Sequence, residues 1–284
     1  MQHQIPSIFM RFPEGRAKAL TFSYDDGLHL DRRLIQILDA HHMKGTFNVN
    51  GGRFASEEEY NENLSTQRMT VAEFCQTFAD SPHEVAIHGY SHCFMDTLPP
   101  SGIAREVLSD REALEELLGR PVHGMAYPFG AYNDTVVRVL RECGISYSRV
   151  VNSSLSFDLP RDWLRQAPTC HHGNPRAMEL AKQFVEMNVY RDPQLFYLWG
   201  HTFEFAQNNN WHLIEEFTDY MAGREDSVWY ATNIEIFEYV RDFGRLEYSA
   251  DCSLVHNPTC RTLWLALSKQ APRSIAPGET VKLF

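Results

Sequence analysis

Along this chain, unbroken apolar runs alternate with stretches in which apolar residues recur every 3.6 positions. Residues 19–24 read as a buried strand, and Leu30, Leu34, Ile37 and Leu38 then share one face of a helix reaching Ala40. The next strand is 45–49. Thr70 and Glu73 form a capping box for a helix through Phe78, and a short strand at 84–87 follows the turn signal Ser81, Pro82. A helix from about Gly102 to Leu118 is closed by Gly119 and Pro121. A strand at 122–126 precedes a helix capped by Asn133 and stopped at Gly144. Strand 145–150, helix 177–188, strand 195–199 and helix 211–221 continue the alternation, and Thr232 or Asn233 caps a last helix to Asp242. Repeated β/α units predict a parallel sheet with helices outside it, and this many units favour a closed or nearly closed barrel over an open sheet. After Leu246 the helical period disappears. The chain therefore divides into an α/β barrel over residues 1–245 and a small β extension over residues 246–284 packed on it.

Composition narrows the classes of partner. At 284 residues and 43% hydrophobic content the chain buries a full core, which excludes disorder. A formal charge of −11 repels nucleic acid and anionic membranes, leaving a small molecule or neutral polymer as the expected ligand. No run of apolar residues is long enough to span a bilayer, and the first twenty residues lack the pattern of a secretory signal, so a cytoplasmic protein is expected. Six cysteines without a CxxC pair suit buried, reduced thiols; a Cys252–Cys260 pairing across a hairpin is the alternative.

Chemistry in a parallel β/α barrel sits at the C-terminal strand ends. At the first such end stand Asp25 and Asp26, two adjacent anions whose repulsion a cation, a proton or solvent must relieve. At the third stand His88 and His92. If the residues after His88 turn helically, both imidazoles face one side and suit a single divalent metal. "AYPFG" closes a tight loop through Pro128 and Gly130, and a late strand ends at His201. Taken singly, each has a plain structural reading: a solvated turn, a chance pair among thirteen histidines, a hydrogen-bonded core histidine. Taken together at four strand ends they point to a metal centre. A second pair, His171 and His172 beside Cys170, lacks the ligands for a tetrahedral site of its own and reads as a rim contact. Tyr127, Phe129, Tyr132, Trp199 and Trp211 offer stacking faces for sugar rings, although most of the aromatic residues must be core.

"TFSYDDG", "HEVAIHGYSH", "AYPFG", "DLPRDW" and "LWGH" resemble, in order, the five motifs of the polysaccharide deacetylase family, carbohydrate esterase family 4 or NodB homology domain. The resemblance spans Thr21 to His201 and implies a distorted (β/α) barrel holding one divalent metal, usually zinc, with cobalt, nickel or manganese as alternatives. It implies hydrolysis of an acetyl group on a sugar. By residue, Asp25 matches the general base, Asp26, His88 and His92 the metal ligands, and His201 the general acid. Leu198 matches part of the pocket for the acetyl methyl, the backbone N–H of Tyr127 the oxyanion donor, and Pro128, Phe129 and Trp163 further substrate contacts. Such a metal lowers the pKa of its bound water from about 15.7 towards roughly 7, and the departing amine requires a proton from His201. Two features depart from the family pattern. Ala126 stands where an arginine commonly orients the base, with Arg149, Arg161 or Arg165 as replacements, and the fourth motif matches Asp162 and Trp163 with Asp158 as a competitor. The expected activity is N-deacetylation of a sugar or oligosaccharide. The rivals are an O-acetyl xylan esterase, an allantoinase-like cyclic amidase, and an inactive carbohydrate-binding protein, against which the presence of Asp25 argues.

Overall fold

The computed structural model describes residues 6–268 and 270–284. After an N-terminal strand β1 (Ile8–Arg11) the chain alternates β2 (Lys18–Asp25), α1 (Asp31–Ala40), β3 (Gly45–Val49), α2 (Val71–Phe78), β4 (Glu84–Ile87), α3 (Pro100–Leu118), β5 (Gly124–Ala126) and α4 (Asp134–Glu142). It continues through β6 (Tyr147–Arg149), β7 (Cys170–His171), α5 (Ala177–Glu186), β8 (Gln194–Gly200), α6 (Thr202–Gln207), α7 (His212–Met221), β9 (Val228–Tyr230) and α8 (Asn233–Phe243). Seven strands lie in the order β6-β5-β4-β3-β2-β8-β7, all paired in parallel. β9 shares an edge of β2 with β3: it pairs with Lys18–Leu20, and β3 with Phe22–Asp25. Among the described residues no ladder joins β6 to β7, and an isolated Arg149–Gln166 bridge extends the sheet beyond β6. The curled sheet is thus a distorted, incompletely closed (β/α) barrel.

Strand alternation sorts the residues into two environments. Phe22, Tyr24, Phe47, Val49, Val85, Ile87, Met125, Phe196 and Leu198 face outward and form one core with the apolar stripes of the helices. Of the alternate positions, Thr21, Ser23, Asp25, Thr46, Asn48 and Glu84 are polar and buried. A buried polar group is costly unless paired, and these pair with one another. Thr21 Oγ1 donates to Asn233 Oδ1 (2.9 Å), Asn233 Nδ2 to Tyr197 Oη (2.6 Å), Thr46 Oγ1 to Glu84 Oε2 (2.8 Å) and Tyr147 Oη to Glu84 Oε1 (2.7 Å). The barrel therefore has a hydrogen-bonded polar interior that leads up to Asp25.

A second core lies at the N-terminal ends of the strands, where Ala19, Leu195 and Tyr197 meet Phe12, Ile236, Tyr239, Leu263 and Leu265. β1 pairs there with β12 (Leu263–Leu267), which pairs with β13 (Arg273–Ile275); β10 (Glu247–Tyr248), β11 (Leu254–His256) and β14 (Thr280–Lys282) make a further small sheet. β1 and the strands after Leu246 thus cover the base of the barrel, opposite the strand tips.

Thr70 accepts from the Glu73 N–H (3.2 Å), but the Glu73 carboxylate turns to Arg32 and Tyr60, so the expected capping box is only half made. The complete box is at Thr232 and Glu235. All six cysteines are free, and only Cys170 is buried; Cys260 is exposed and the rest are half-buried, which corrects the expectation of uniformly buried thiols. Among the described residues no helix is long and apolar enough to cross a membrane.

Candidate active site

Consecutive residues of a strand point to opposite faces, so adjacent carboxylates at the end of β2 should diverge. They do not, because the alternation breaks at Asp26, which has φ 86°, followed by Gly27 at φ 64°. Gly27 is required twice over: its backbone is left-handed, and a Cβ there would lie 2.8 Å from Val49 Cγ1. The turn brings both carboxylates towards the histidines after β4. Asp25 Oδ2 is 3.8 Å from His88 Nε2, and Asp26 Oδ1 is 3.5 Å from His92 Nε2. One donor atom each from Asp26, His88 and His92 lie within 4.8 Å of one another.

The route from His88 to His92 is not the helical one expected from their spacing. Gly89 (φ 75°) and His92 (φ 57°) are left-handed, and the His92 N–H closes the turn on Gly89 O at 3.1 Å. The two rings nevertheless sit 4.9 Å apart. His88 is the more rigidly placed of the two. Its backbone N–H donates to Asp110 Oδ2 (3.0 Å), and its Nδ1 lies 2.8 Å from Ala126 O. A carbonyl only accepts, so the proton is on Nδ1 and the Nε2 lone pair is free.

Asp25 is 2% exposed, and burial alone would raise its pKa. Arg149, His88 and His201 outweigh burial and hold it at about 2. Arg149 pairs with Asp25 Oδ2, while Asn48 Nδ2 donates to Oδ1 at 2.8 Å. Burial likewise acts to raise Asp26, but His88 and Arg68, whose Nη2 is 2.9 Å from Asp26 Oδ1, bring it below the ordinary carboxylate value. Burial and the neighbouring His88 lower His92 to about 4, and burial lowers His88 as well. Near neutral pH the cluster is therefore one ionised carboxylate and two neutral imidazoles, the protonation state that metal ligation requires.

Of the three arginines weighed as substitutes at the base, Arg149 is the one in place. It lies beside Ala126 in the β5–β6 register, wholly buried with its guanidinium 4.2 Å over the Trp199 ring. The small Ala126 side chain and the inward-facing Arg149 supply from the neighbouring strand what an arginine at 126 would. Arg165 is committed to Asp162 and Asp134, and Arg161 is exposed. Arg149→Met should raise the Asp25 pKa, so the acid limb of a pH–rate profile moves to higher pH and activity falls more at pH 5 than at pH 8. Leaving Asp25 without its buried partner should also cost about 3–5 kcal/mol of stability. An unmoved acid limb would mean that Arg149 does not set the charge of Asp25.

Three expected substrate contacts are corrected. The Tyr127 N–H donates to Arg149 O (3.1 Å), continuing the sheet, and its hydroxyl donates to Leu164 O (2.7 Å), so neither points into the cleft. Leu198 faces the helices, among Ala177, Met178, Leu213 and Phe217, because Trp199 takes the inward position beside it. Trp163 packs edge-on to Phe237 (5.3 Å) next to Gly144, Ile145 and Ser146, at the opposite end of β6 from Arg149. Asp162 caps Leu164 and pairs with Arg165, and Asp158 is exposed, so no fourth-motif aspartate reaches the cleft. Pro128 is buried at the loop start, and Phe129 does reach the cleft. The residue has φ 56° and is 52% exposed, with its ring 4.5 Å from His92 and stacked on Phe94 at 4.1 Å.

His201 immediately precedes α6, with Nε2 3.7 Å from Asp25 Oδ2 and Nδ1 3.3 Å from Glu204 Oε1. It therefore stands beside Asp25 rather than across the cleft from it. Burial acts to lower its pKa, but Glu204, Asp25 and Asp26 together raise it. Sequence reasoning missed Asn48, Arg68, Asp110 and Glu204. Asn48 carried a signal, since the polar positions Thr46 and Asn48 alternate with Phe47 and Val49.

The polysaccharide deacetylase family model matches residues 13–148. A chitooligosaccharide deacetylase of Rhizobium leguminosarum bv. phaseoli is 27% identical over 147 residues, 51% of this chain and 56% of that protein. The match spans little more than half of that relative's length. A crystal structure from Mycobacterium smegmatis assigned to the polysaccharide deacetylases superposes with a TM-score of 0.59 at 19% identity, covering 84% of this chain and 96% of that one. The Xyl-CE4 domain of a multidomain xylanase from the hindgut metagenome of Trinervitermes trinervoides gives 0.50 at 17%, covering 79% and 92%. At such identities the structural likeness shows the fold, in agreement with the curled parallel sheet. The resemblance read from the motifs is borne out over a segment that contains Asp25, Asp26, His88 and His92.

Proposed function

We propose that this chain, in which residues 13–148 match the polysaccharide deacetylase family, is a metal-dependent hydrolase that removes an acetyl group from an N-acetylated sugar or short oligosaccharide. The observation that carries the reading is the convergence of Asp26, His88 and His92 beside an Asp25 kept ionised in a buried setting. The donor set fits a divalent ion: one carboxylate and two neutral imidazoles, with the Nδ1–H of His88 directed to Ala126 O so that Nε2 remains for ligation. Zinc suits this set best, and cobalt, nickel or manganese accept the same donors. When bound, such an ion supplies Lewis acidity towards an acyl carbonyl and makes water at the site more acidic.

The remaining steps belong to the chain's own residues. Asp25, oriented by Arg149 and Asn48, takes a proton from the attacking water. With the Tyr127 N–H committed, the N–H of Phe129, which has no hydrogen-bond partner among the described residues, is the loop's donor for the developing oxyanion. His201 hands a proton to the departing amine nitrogen, which cannot leave as an anion. The stacked Phe94 and Phe129 rings at the rim present an apolar face to a sugar ring. Residues 246–284 we read as packing on the base of the barrel, away from this site.

The test is an acetate-release screen of metal-loaded protein over N-acetylated chitooligosaccharides, acetylxylan and cyclic amides. Release from the first is expected. Release from acetylxylan alone, or ring opening of a cyclic amide, would reassign the substrate, and sugar binding without turnover at full metal occupancy would make the protein a binder.

A further inference from the structure

Three imidazoles converge on one carboxylate beside the cleft. His171 Nε2 is 2.9 Å and His172 Nε2 3.0 Å from Glu204 Oε2, while His201 Nδ1 is 3.3 Å from Oε1. The histidines come from β7, the turn after it and the tip of β8; Glu204 comes from the first turn of α6. That turn is anchored in its own right, because Thr202 Oγ1 donates to the buried Asp31 Oδ1 at 2.6 Å.

Proton positions follow from the neighbours. The Gly173 N–H donates to His171 Nδ1 (3.1 Å), so that nitrogen carries a lone pair and the proton sits on Nε2, facing Glu204. His172 Nδ1 is buried without a partner, where a bare lone pair costs less than an unpaired N–H, and this again puts the proton on Nε2. With His171 Nε2 and His172 Nε2 both within 3.0 Å of its Oε2, Glu204 stays ionised, its pKa held well below the ordinary carboxylate value although burial acts to raise it. Its other oxygen faces His201 Nδ1, so His201 presents Nε2 to the cleft. The cluster also has the donors for a cation, since single atoms of His171, His201 and Glu204 lie within 4.8 Å of one another. Ligation through His171 Nε2 would move its proton to Nδ1, against the Gly173 N–H, and so argues for a proton-held cluster.

We propose that Glu204, flanked by His171 and His172, is the positioning residue for His201: its carboxylate, 3.3 Å from Nδ1, draws a proton to that nitrogen by charge and leaves the Nε2–H for the leaving nitrogen. This rests on the reading of His201 as the general acid. It also gives a role to residues that no matched motif explains: the fourth-motif aspartates lie elsewhere, and the carboxylate comes instead from three residues after the acid. The other ionisable groups around His201 are Asp25 and Asp26 on and after β2, Arg149 behind Trp199, Cys170 on β7, Tyr24 stacked on His172, and Asp31 behind Thr202.

Glu204→Gln keeps the size and an acceptor oxygen but removes the charge. For an N-acetyl substrate, kcat should fall about 10–100-fold with KM changed less than about twofold. The alkaline limb of the kcat profile should move to lower pH, because the variant's His201 loses its proton earlier, and metal content should not change. Turnover of 4-nitrophenyl acetate, whose leaving group needs no proton, should be nearly unaffected, and Glu204→Asp should restore part of the amide activity. Histidine ¹⁵N NMR gives a reading independent of turnover: His201 should stay protonated to higher pH in the wild type than in Glu204→Gln. If that difference appears and no acetate is released from any substrate, the functional reading fails and the positioning role stands. An unchanged His201 titration and pH profile in Glu204→Gln would overturn the proposal, as would a second metal ion bound by the wild type and lost in His171→Ala.

Discussion

Asp25→Asn should release acetate about 10²–10⁴-fold more slowly than the wild type while still binding its metal ion. The amide matches the carboxylate in shape and still offers an oxygen to Arg149, but it cannot take a proton from water. Asp25 is suited to that task because it is buried and ionised together, with the Arg149 guanidinium on one oxygen and the Asn48 amide on the other. The substitution leaves the Arg149 cation without its counter-charge, so a lower melting temperature should accompany the loss. Acetate release and elemental analysis on one preparation separate a base from a ligand. Loss of both activity and metal in Asp25→Asn would make this carboxylate a ligand, and full activity would remove it from the chemistry.

His88→Ala should have the opposite signature, with metal falling from one ion per chain to nearly none and turnover disappearing with it. His88 is wholly buried and fixed by Asp110 and by Ala126 O, so its Nε2 is held in place for the ion and alanine supplies no donor there. A thermal shift reports the same event without any substrate. A ligand present at 100 times its Kd stabilises the folded state by about 2.7 kcal/mol, so added zinc should raise the wild-type melting temperature and leave the variant where it was. His171→Ala, outside the ligand set, should respond to zinc as the wild type does. Undiminished metal binding in His88→Ala would contradict the assigned ligands.

How much of this was legible in the sequence depended on whether a residue's role is set by its own stretch of chain. Asp25, Asp26, His88 and His201 end apolar runs, and in a β/α repeat such positions fall at strand tips whatever the rest of the fold does. The pairing of Arg149 with Asp25 is different, because it requires β5 and β6 to be adjacent and in a register that sets Arg149 against Ala126, information spread over the sheet. The same register consumes the Tyr127 N–H, so the misplaced oxyanion donor and the unidentified arginine share one cause. Leu198 was a different kind of miss. Counting back in twos from His201 puts Trp199 inside and Leu198 outside, a reading that period two supplies without any structure. Glu204 was hidden because α6 starts directly after the strand, with His201 at its cap position and no capping side chain to announce it. His88 and His92 meet through left-handed turns at Gly89 and His92, so their four-residue spacing pointed to a shared site by a route the chain does not take.

The most direct measurement is a crystal structure of the zinc-loaded protein with anomalous data collected at the zinc edge. One ion is predicted, about 2.0–2.2 Å from an Asp26 oxygen, His88 Nε2 and His92 Nε2, with Asp25 and His201 beside it and unligated. An ion held by Asp25 in place of Asp26, or seated only among His171, His201 and Glu204, would contradict the account.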